Sequence, residues 1–479
     1  MMSVLSELEP KKVFHYFEEL CKIPHGSYNT KAISDYCMQF AADRGLEAEQ
    51  DDTNNVIIRK NGTAGYEESA PVIIQGHLDM VCEKMPGVEH DFEKDPLDLQ
   101  IEDGFVTANG TTLGGDDGIA IAMALAVLDS DEISHPPIEA VFTTEEEVGM
   151  EGARNLDFSR IKGNMVINID SEEEGILTVG CAGGFRFDAM LPTAYEPVSG
   201  TVLSVRIHGL SGGHSGAMIH LQRGNANKLM GRLLNYIRLQ QSVRLVELGG
   251  GNKDNVIPAD HTAKIAVTDA EAVKALIREM EQIWKQEFGK DEPGLTVDIT
   301  ESVADQMMDE ASTDRVIAYL DLMPDGVAAF EREIEGQVET SLNAGVVKTE
   351  AEQVVVTHLV RSSVESKKAE LKERLYRLVR MLGADGIDRD EYPAWAYKAD
   401  SVLRTRMVEV FKEVYGKEPQ VVTIHAGLEC GIFMGKRPEL DCVSIGPDLF
   451  DIHSYNERMD IKSVERTYKY LLEVLKAMK

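Results

Sequence analysis

The sequence predicts an α/β domain with a mixed, largely parallel sheet, interrupted by an inserted α+β domain. Over residues 1–184, short apolar runs alternate with helical patterns, and the same texture returns over 393–479. Residues 185–392 differ, because they combine longer strands of alternating polarity with charged amphipathic helices. The simplest organisation is one discontinuous domain in two parts, with a second domain inserted between them.

Three apolar runs of the first part predict the buried strands of the parallel sheet. They cover residues 71–75, 138–142 and 165–169 and are rich in Val and Ile. Residues 119–128 predict a helix that is apolar on every side, which is typical of a helix buried against a sheet. Strands and helices in this order indicate a sheet covered by helices.

The inserted domain follows a glycine-rich segment at 180–184. Its clearest predicted strand is 201–208, and its clearest predicted helices are 271–288 and 365–382. These elements alternate polar and apolar residues, as expected for a sheet with helices packed on one face.

Two short matches within the insertion, 255–267 against 343–356, suggest an internal duplication. After residue 393, a strand at 421–424 and a closing helix at 464–478 are predicted to complete the α/β domain.

The charge balance excludes several classes of function. The 479 residues include 82 acidic and 49 basic side chains, which gives a formal net charge of −33. Nucleic acids are excluded as partners and anionic membranes are disfavoured, because binding either requires clustered Lys and Arg. No run approaches the roughly 20 apolar residues of a membrane span, and the N-terminus lacks the apolar core of a secretory signal. The six cysteines form no CxxC pair, which favours reduced thiols and a cytoplasmic location.

Metal-capable side chains follow each of the three predicted parallel strands. The first strand leads to His77 and Asp79, the second to three glutamates at 145–147, and the third to Asp170. Because the carboxyl ends of parallel strands meet at one edge of a sheet, these side chains can converge. A carboxylate at Asp79 can orient an imidazole that binds metal through its other nitrogen. Alone, this pair is a weak signal, because a structural histidine is its commoner explanation.

A pair of aspartates, Asp116 and Asp117, lies between glycines just before the apolar helix. Acidic residues at a helix N-terminus are favoured by the macrodipole and by capping, so a structural role is one interpretation. The flanking glycines also permit a backbone that aims one carboxylate inward, where it can bridge two cations about 4 Å apart. Residues 145–147 are similarly either a solvated acidic turn or a site whose like charges need cations. His453, near the end of the chain, is ambiguous by itself.

Together these motifs resemble a metallopeptidase family that includes two-zinc aminoacylases, carboxypeptidase G and dipeptidases. The matching segments are GHLD (76–79), TTLGGDDG (111–118), EEVG (146–149), DSEEEG (170–175) and His453. A second set resembles the branch that cleaves aminoacyl-histidine dipeptides: HDFEKDP (90–96), GCAGG (180–184), GGHSG (212–216), GNANK (224–228) and IHAGLECG (424–431). The resemblance spans nearly the whole chain and implies a di-metal exopeptidase catalytic domain with an inserted lid domain.

The resemblance implies two divalent metal ions that share one ligand. The implied ligands are, for one ion, His77, Asp116 and Asp170 and, for the other, Asp116, Glu147 and His453. Asp116 bridges the ions, and in the family the peptide bond after this residue is cis. Glu146 is the implied general base, because the family writes Glu-Glu-x-Gly and Gly149 fixes that register, while Asp79 supports His77. Zinc is the default metal, and Mn or Co suits the same ligands.

In the lid domain, the resemblance implies that His214 reaches the substrate carbonyl and that Arg361 grips the substrate carboxylate. A guanidinium suits this task because it donates a bidentate pair of hydrogen bonds. Asn255 and Glu429 are further candidates for substrate binding, although Glu429 could equally be a structural acid. His214 could instead cap a helix, and Arg361 could be an ordinary strand residue. The resemblance also implies a homodimer through the lid, although an internally duplicated lid could replace the partner.

The implied reaction is hydrolysis of Xaa-His and related dipeptides by a metal-bridged water that Glu146 deprotonates. A tripeptidase or an N-acyl amino acid deacylase on the same scaffold is the nearest alternative. A non-catalytic acidic metal-binding protein is the alternative from another class. Glu146 argues against it, because neither ligand set includes this carboxylate, which is therefore available as a base.

Overall fold

The computed structural model describes residues 4–479, which form two compact units. The first unit lies within Met1–Gly180, Tyr397–Thr423 and Leu428–Lys479, and the second consists of Cys181–Ala396 and Ile424–Gly427. The domain boundaries predicted at 184/185 and 392/393 are each four residues from the observed ones. The sequence did not predict that residues 424–427 belong to the second unit.

The elements alternate along the first part of the chain as predicted. The helices are α1 (Lys11–Leu20), α2 (Lys31–Asp43), α3 (Gly115–Leu128) and α4 (Glu151–Asn155). The strands are β1 (Glu47–Gln50), β2 (Val56–Lys60), β3 (Val72–His77), β4 (Leu99–Glu102), β5 (Phe105–Ala108), β6 (Ile138–Thr143), β7 (Met165–Asn168) and β8 (Ile176–Cys181).

The second unit is rich in long strands. Its strands are β9 (Gly183–Pro192), β10 (Tyr195–Pro197), β11 (Thr201–His208), β12 (Gly213–His214), β13 (Val243–Gly250), β14 (Val256–Ile257), β15 (His261–Val267), β16 (Thr296–Ser302), β17 (Gln306–Met308), β18 (Gly326–Phe330), β19 (Val338–Thr349), β20 (Gln353–Ser362) and β21 (Asp385–Tyr392). Its helices are α5 (Ala226–Arg238), α6 (Ala270–Phe288), α7 (Glu310–Leu322) and α8 (Glu365–Met381).

The final segment returns to the first unit. It contributes α9 (Val402–Tyr415), β22 (Gln420–Ile424), α10 (Glu429–Lys436), β23 (Asp441–Ser444), β24 (Leu449–Phe450), β25 (Arg458–Asp460) and α11 (Ile461–Ala477). The predicted strand at 421–424 and closing helix at 464–478 correspond to β22 and α11.

The first unit is built on an eight-stranded mixed sheet in the order β1-β2-β6-β3-β7-β23-β8-β22. Its centre is parallel, because β3 pairs in parallel with both β6 and β7, and β7 pairs in parallel with β23. The three predicted strands are these neighbours, and every residue of β3 and β6 is buried. The predicted α/β fold class with a largely parallel sheet core is therefore confirmed.

Helix α3 is the buried helix of this unit. From Gly118 to Leu128 every residue is buried, as its uninterrupted apolar sequence predicts, and the helix packs against β3 and α1. A smaller antiparallel sheet of the same unit has the order β24-β25-β5-β4. This sheet brings the end of the chain beside the strand that leads into α3.

The second unit contains a nine-stranded sheet. Eight of its strands follow the order β16-β11-β15-β13-β19-β20-β9-β21, and β18 pairs with β19. Helices α5 to α8 cover it around a core that includes Phe185, Phe187, Leu233, Trp284 and Tyr319. The two segments of the suggested duplication lie at β14–β15 and β19–β20, and the duplication stays a prediction. None of the helices within residues 4–479 is both long and apolar enough to cross a membrane.

Candidate active site

The chemistry of the first unit gathers where three neighbouring parallel strands end. His77 is the last residue of β3, which lies between β6 and β7 in the sheet. The glutamates at 145–147 follow β6, and Asp170 follows β7 by two residues. Because Gln75 is level with Asn168 in the parallel register, Asp170 follows at the level of His77. The strand order thus places acidic groups on both sides of one imidazole.

Buried polar side chains lie at and just before these strand ends. Gln75, Thr143 and Asn168 are fully buried, and the Asn168 amide donates to the Gln75 side-chain oxygen over 2.6 Å. Gln75 and Thr143 both donate to Oε2 of the buried Glu429, at 2.6 and 2.7 Å. Because Gln75, Thr143 and Asn168 come from three different strands, these hydrogen bonds tie together the strands that carry the site.

Asp116 occupies the middle of the site. Its Oδ1 lies 3.0 Å from Nε2 of His77, and its Oδ2 lies 3.1 Å from Nε2 of His453. Asp170 Oδ1 is 3.6 Å from the same His77 nitrogen, and Glu147 Oε2 is 3.0 Å from the His453 nitrogen. The five predicted ligands are therefore brought together, with one carboxylate between two imidazoles.

The local backbone explains how Asp116 reaches this position. Gly114 adopts a φ of 68°, a left-handed conformation that glycine tolerates, and the Asp116–Asp117 peptide bond is cis, as the resemblance implied. Gly76 lets the start of α3 approach β3, since a Cβ there would lie 2.5 Å from Oδ2 of Asp117. That oxygen accepts a hydrogen bond from the His77 backbone N–H at 3.1 Å. Asp117 therefore faces the strand, whereas Asp116 faces the two imidazoles.

Asp79 supports the site in two ways. Its main-chain oxygen is 2.9 Å from Nδ1 of His77, closer than its carboxylate at 3.6 Å. The carboxylate accepts hydrogen bonds from the backbone N–H groups of Glu146 and Glu147, at 3.0 and 3.3 Å, and from the Ser27 hydroxyl at 2.8 Å. The predicted contact with His77 is thus made mainly by the backbone, and the side chain holds the glutamate turn.

The three glutamates of this turn point to different partners. Glu145 accepts hydrogen bonds from the Tyr28 backbone N–H at 2.5 Å and from the Thr30 hydroxyl at 3.0 Å. Glu147 faces His453, while Glu146 lies near His77 and Asp170. Glu145 is therefore occupied elsewhere, which favours Glu146 as the carboxylate available for proton transfer.

The carboxylates give the site an excess of negative charge. Burial opposes the charged form of His77, but Asp116, Asp170 and Asp79 outweigh it and raise its pKa well above the ordinary value. Asp116 and Glu147 raise the pKa of His453 to about 11. Burial raises the pKa of Glu146 well above its usual range, and nearby Asp170 adds to this effect. Cations are the charges that this site favours.

The donor set fits divalent metal ions. Three groups place their ligand atoms within 4.8 Å of one another, namely His77, Asp116 and Asp170; Asp116, Glu147 and His453; and His77, Glu146 and Glu147. The first two are the ligand sets that the resemblance implies. Glu147 Oε1 is buried and has no hydrogen-bond partner among residues 4–479, so a cation would satisfy it. Imidazole together with carboxylate suits Zn, Mn or Co.

Three of the candidate substrate residues, His214, Asn255 and Arg361, belong to the second unit. His214 Nδ1 accepts hydrogen bonds from the backbone N–H groups of Gly216 and Ala217, at 3.3 and 3.0 Å, which leaves Nε2–H as a donor. Burial and the Arg361 charge lower the pKa of His214. His214 is therefore a neutral hydrogen-bond donor. The main-chain oxygen of half-buried Asn255 accepts a hydrogen bond from the neighbouring Ser215 N–H at 2.9 Å.

Arg361 is 6% exposed and makes no ion pair among the described residues. One of its terminal nitrogens donates to the Tyr392 hydroxyl at 3.1 Å, while its buried Nε has no partner within residues 4–479. Beside it, burial lowers the pKa of His425 to about 3, and the charge of Arg361 acts in the same direction. A buried guanidinium without a carboxylate favours an anion as its partner.

Glu429 is the one predicted substrate residue that belongs to the first unit. It is fully buried in the first unit, and its bonds to Gln75 and Thr143 favour the structural alternative. The sequence singled out none of Gln75, Thr143, Asn168, His425 or Glu457. For Gln75, Thr143 and Asn168, the only signal in the sequence was a polar side chain within an apolar strand or at its end.

The sequence also matches a known protein family and a full-length relative. Residues 73–477 match the family described as Peptidase family M20/M25/M40. The chain belongs to this family. A cytosol non-specific dipeptidase of Escherichia coli (strain K12) is 39% identical over 481 residues, which cover 99% of each chain. The predicted membership of a metallopeptidase family is confirmed, and this M20 chain is a hydrolase.

Solved structures extend the comparison of this M20 chain. An aminoacylhistidine dipeptidase from Vibrio alginolyticus matches it with a TM-score of 0.96 and 37% identity, covering 99% of this chain and 98% of that chain. A tripeptidase from Staphylococcus aureus has a TM-score of 0.56 and 16% identity, with 98% and 99% covered. The second likeness shows the fold alone.

Proposed function

We propose that the chain is a metal-dependent dipeptidase that hydrolyses Xaa-His and related dipeptides. The observation that carries this proposal is the Asp116 carboxylate, which lies 3.0 Å from His77 Nε2 on one side and 3.1 Å from His453 Nε2 on the other. The full-length similarity to two proteins named as dipeptidases supports the choice of substrate.

Two divalent ions would be held by the two ligand groups that share Asp116. When bound, such a pair lowers the pKa of water and polarises a carbonyl oxygen. We propose zinc as the ion, because it suits imidazole and carboxylate ligands together.

In this proposal Glu146 is the general base. Its carboxylate takes a proton from the attacking water and passes it to the nitrogen of the departing amine. Asp79 holds the backbone of Glu146 and Glu147, so that one glutamate can move a proton while its neighbour stays a ligand.

The second unit supplies the groups that recognise the substrate in this proposal. His214 donates from Nε2 to the developing oxyanion, and Arg361 binds the carboxylate of the second residue. Asn255 is proposed as a further substrate contact, because it adjoins the segment that carries His214. A fixed carboxylate site favours short peptides, since a longer peptide carries its carboxylate farther from the scissile bond.

A homodimer and a cytoplasmic location stay predictions. A homodimer through the inserted unit is tested by the mass of the protein in solution. A cytoplasmic location is supported by the six cysteines, which form no CxxC pair and five of which are buried.

Metal analysis combined with a panel of substrates tests the proposal. We expect about two ions per chain and hydrolysis of β-alanyl-histidine or glycyl-histidine, lost on chelation and restored by Zn²⁺. Triglycine and N-acetyl-histidine, assayed in parallel, should react more slowly. Faster cleavage of either would favour the tripeptidase or deacylase alternative, and ion binding without hydrolysis of any substrate would favour a storage protein.

A further inference from the structure

Glu457 makes an unusual set of contacts beside the proposed metal site. Its side chain is 3% exposed, and its carboxylate accepts hydrogen bonds from successive backbone N–H groups. Oε2 accepts from Leu113 and Gly114 at 2.7 and 3.1 Å, and Oε1 accepts from Gly115 and Asp116 at 2.8 and 3.4 Å. One side chain thus holds the whole backbone segment 113–116.

This segment ends at the shared metal ligand. Leu113 and Gly114 precede α3, and the backbone of Asp116 and Asp117 is not helical, so these N–H groups lie before the regular part of the helix. A carboxylate there makes charge-assisted hydrogen bonds to this irregular segment. The fit is close, because a Cβ on Gly115 would lie 3.2 Å from Oε1 of Glu457.

The same carboxylate belongs to the hairpin that carries the last ligand. Residues 451–457 connect β24 and β25, so His453 and Glu457 are four residues apart in one loop. His453 has a φ of 58°, a left-handed conformation that the loop must hold in place. Strand β25 pairs with β5, which precedes the segment 113–116. Glu457 therefore joins two remote segments at the point where each presents a ligand.

We propose that Glu457 is a positioning residue, which fixes Asp116 relative to His453 and so sets the affinity of the ion that these two residues share. This role rests on the proposed function only in assuming a pair of ions, and it does not depend on the substrate. Without Glu457, four N–H groups lose their acceptor and the shared carboxylate loses its fixed direction.

Titration of the metal-free full-length chain with Zn²⁺ tests this role. In Glu457→Gln we expect the ion shared by Asp116 and His453 to bind about 10- to 100-fold more weakly. This is the usual effect of removing a group that supports a ligand. Activity should return at high Zn²⁺, with a higher metal concentration for half-activation. In Glu457→Asp, which keeps the charge on a shorter side chain, we expect a smaller loss of affinity.

Glu139→Gln is the matched control. Glu139 is also 3% exposed, and its carboxylate also accepts from two backbone N–H groups, those of Lys162 and Gly163, at 2.9 and 2.7 Å. This variant should lower the unfolding temperature while keeping the wild-type affinity for both ions.

Wild-type affinity for both ions in folded Glu457→Gln would overturn the proposal, as would an equal loss of affinity in Glu139→Gln. If Glu457→Gln fails to fold, the Asp variant decides by the same two criteria. A wild-type chain that hydrolyses no peptide, together with weaker ion binding in Glu457→Gln, would refute the dipeptidase proposal and leave this one standing.

Discussion

The two units hold clusters of opposite electrostatic character. In the first, carboxylates crowd around His77 and His453 and raise the pKa of both imidazoles. In the second, burial and the Arg361 charge lower the pKa of His214 and His425. The first cluster favours cations, and the second favours an anion.

The difference lies in what each cluster lacks. Among residues 4–479, the buried atoms without a hydrogen-bond partner include an acceptor in the first cluster, Glu147 Oε1, and a charged donor in the second, Arg361 Nε. A divalent ion would complete one cluster, and a carboxylate would complete the other. A change in the first cluster should therefore alter ion binding or proton transfer, and a change in the second should alter recognition of an anionic substrate.

The largest expected effect is that of Glu146→Gln. The amide cannot accept the proton of the attacking water, so we expect kcat to fall about 100- to 10,000-fold, the usual range for a general base. Because Glu146 belongs to neither of the two proposed ligand groups, both ions should remain bound. Steady-state kinetics with elemental analysis of the same sample measures the two effects.

Glu145→Gln is the control for this variant. Its carboxylate contacts the Tyr28 N–H and the Thr30 hydroxyl, so kcat should stay within a few-fold of the wild type. A large loss of rate in Glu145→Gln with little loss in Glu146→Gln would transfer the role of base to Glu145.

Arg361→Lys probes the second cluster. Lysine keeps the charge but lacks the planar fork, so we expect kcat/KM for a dipeptide to fall about 10- to 100-fold through KM. The C-terminal amide of the same dipeptide, which has no carboxylate, should be hydrolysed equally by both proteins. Steady-state kinetics on the two substrates gives the result.

Arg206→Lys is the matched control, because Arg206 is half exposed and pairs with Asp260. It should leave the preference for the acid over the amide unchanged. If Arg361→Lys keeps that preference too, the carboxylate is bound by another group.

The sequence predicted the first cluster better than the second. Parallel strands end at one edge of a sheet, so residues such as His77 and Asp170 could be brought together from strand order alone. Glu457 and Leu113 are 344 positions apart and meet through a hairpin that no local pattern encodes. In the second unit, His425 Nε2 lies 2.7 Å from the Ser341 hydroxyl, because residues 424–427 belong to this unit and not to the first. That contact depends on tertiary structure only.

The smallest expected effect is on stability in acid, and it tests the neutral imidazoles of the second unit. Burial lowers the pKa of His358 to about 3, and its Nε2 lies 2.9 Å from the Tyr319 hydroxyl. Between about pH 6.5 and 3, the unfolded chain binds a proton that folded His358 does not, so stability falls as the pH falls. At pH 5, about 1.5 pH units below the ordinary pKa of histidine, protonation of the unfolded chain lowers the free energy of unfolding by about 2 kcal/mol relative to pH 7.

Urea unfolding of the wild type and of His358→Gln, each at pH 7 and pH 5, measures this cost. Glutamine can still hydrogen-bond to Tyr319 but does not titrate, so the variant should lose about 2 kcal/mol less between the two pH values. His220→Gln, at an exposed position, should keep the wild-type difference. Equal losses in the wild type and His358→Gln would mean that His358 is already charged in the folded protein. The contrast between the raised pKa values of the first unit and the lowered values of the second would then fail at this residue.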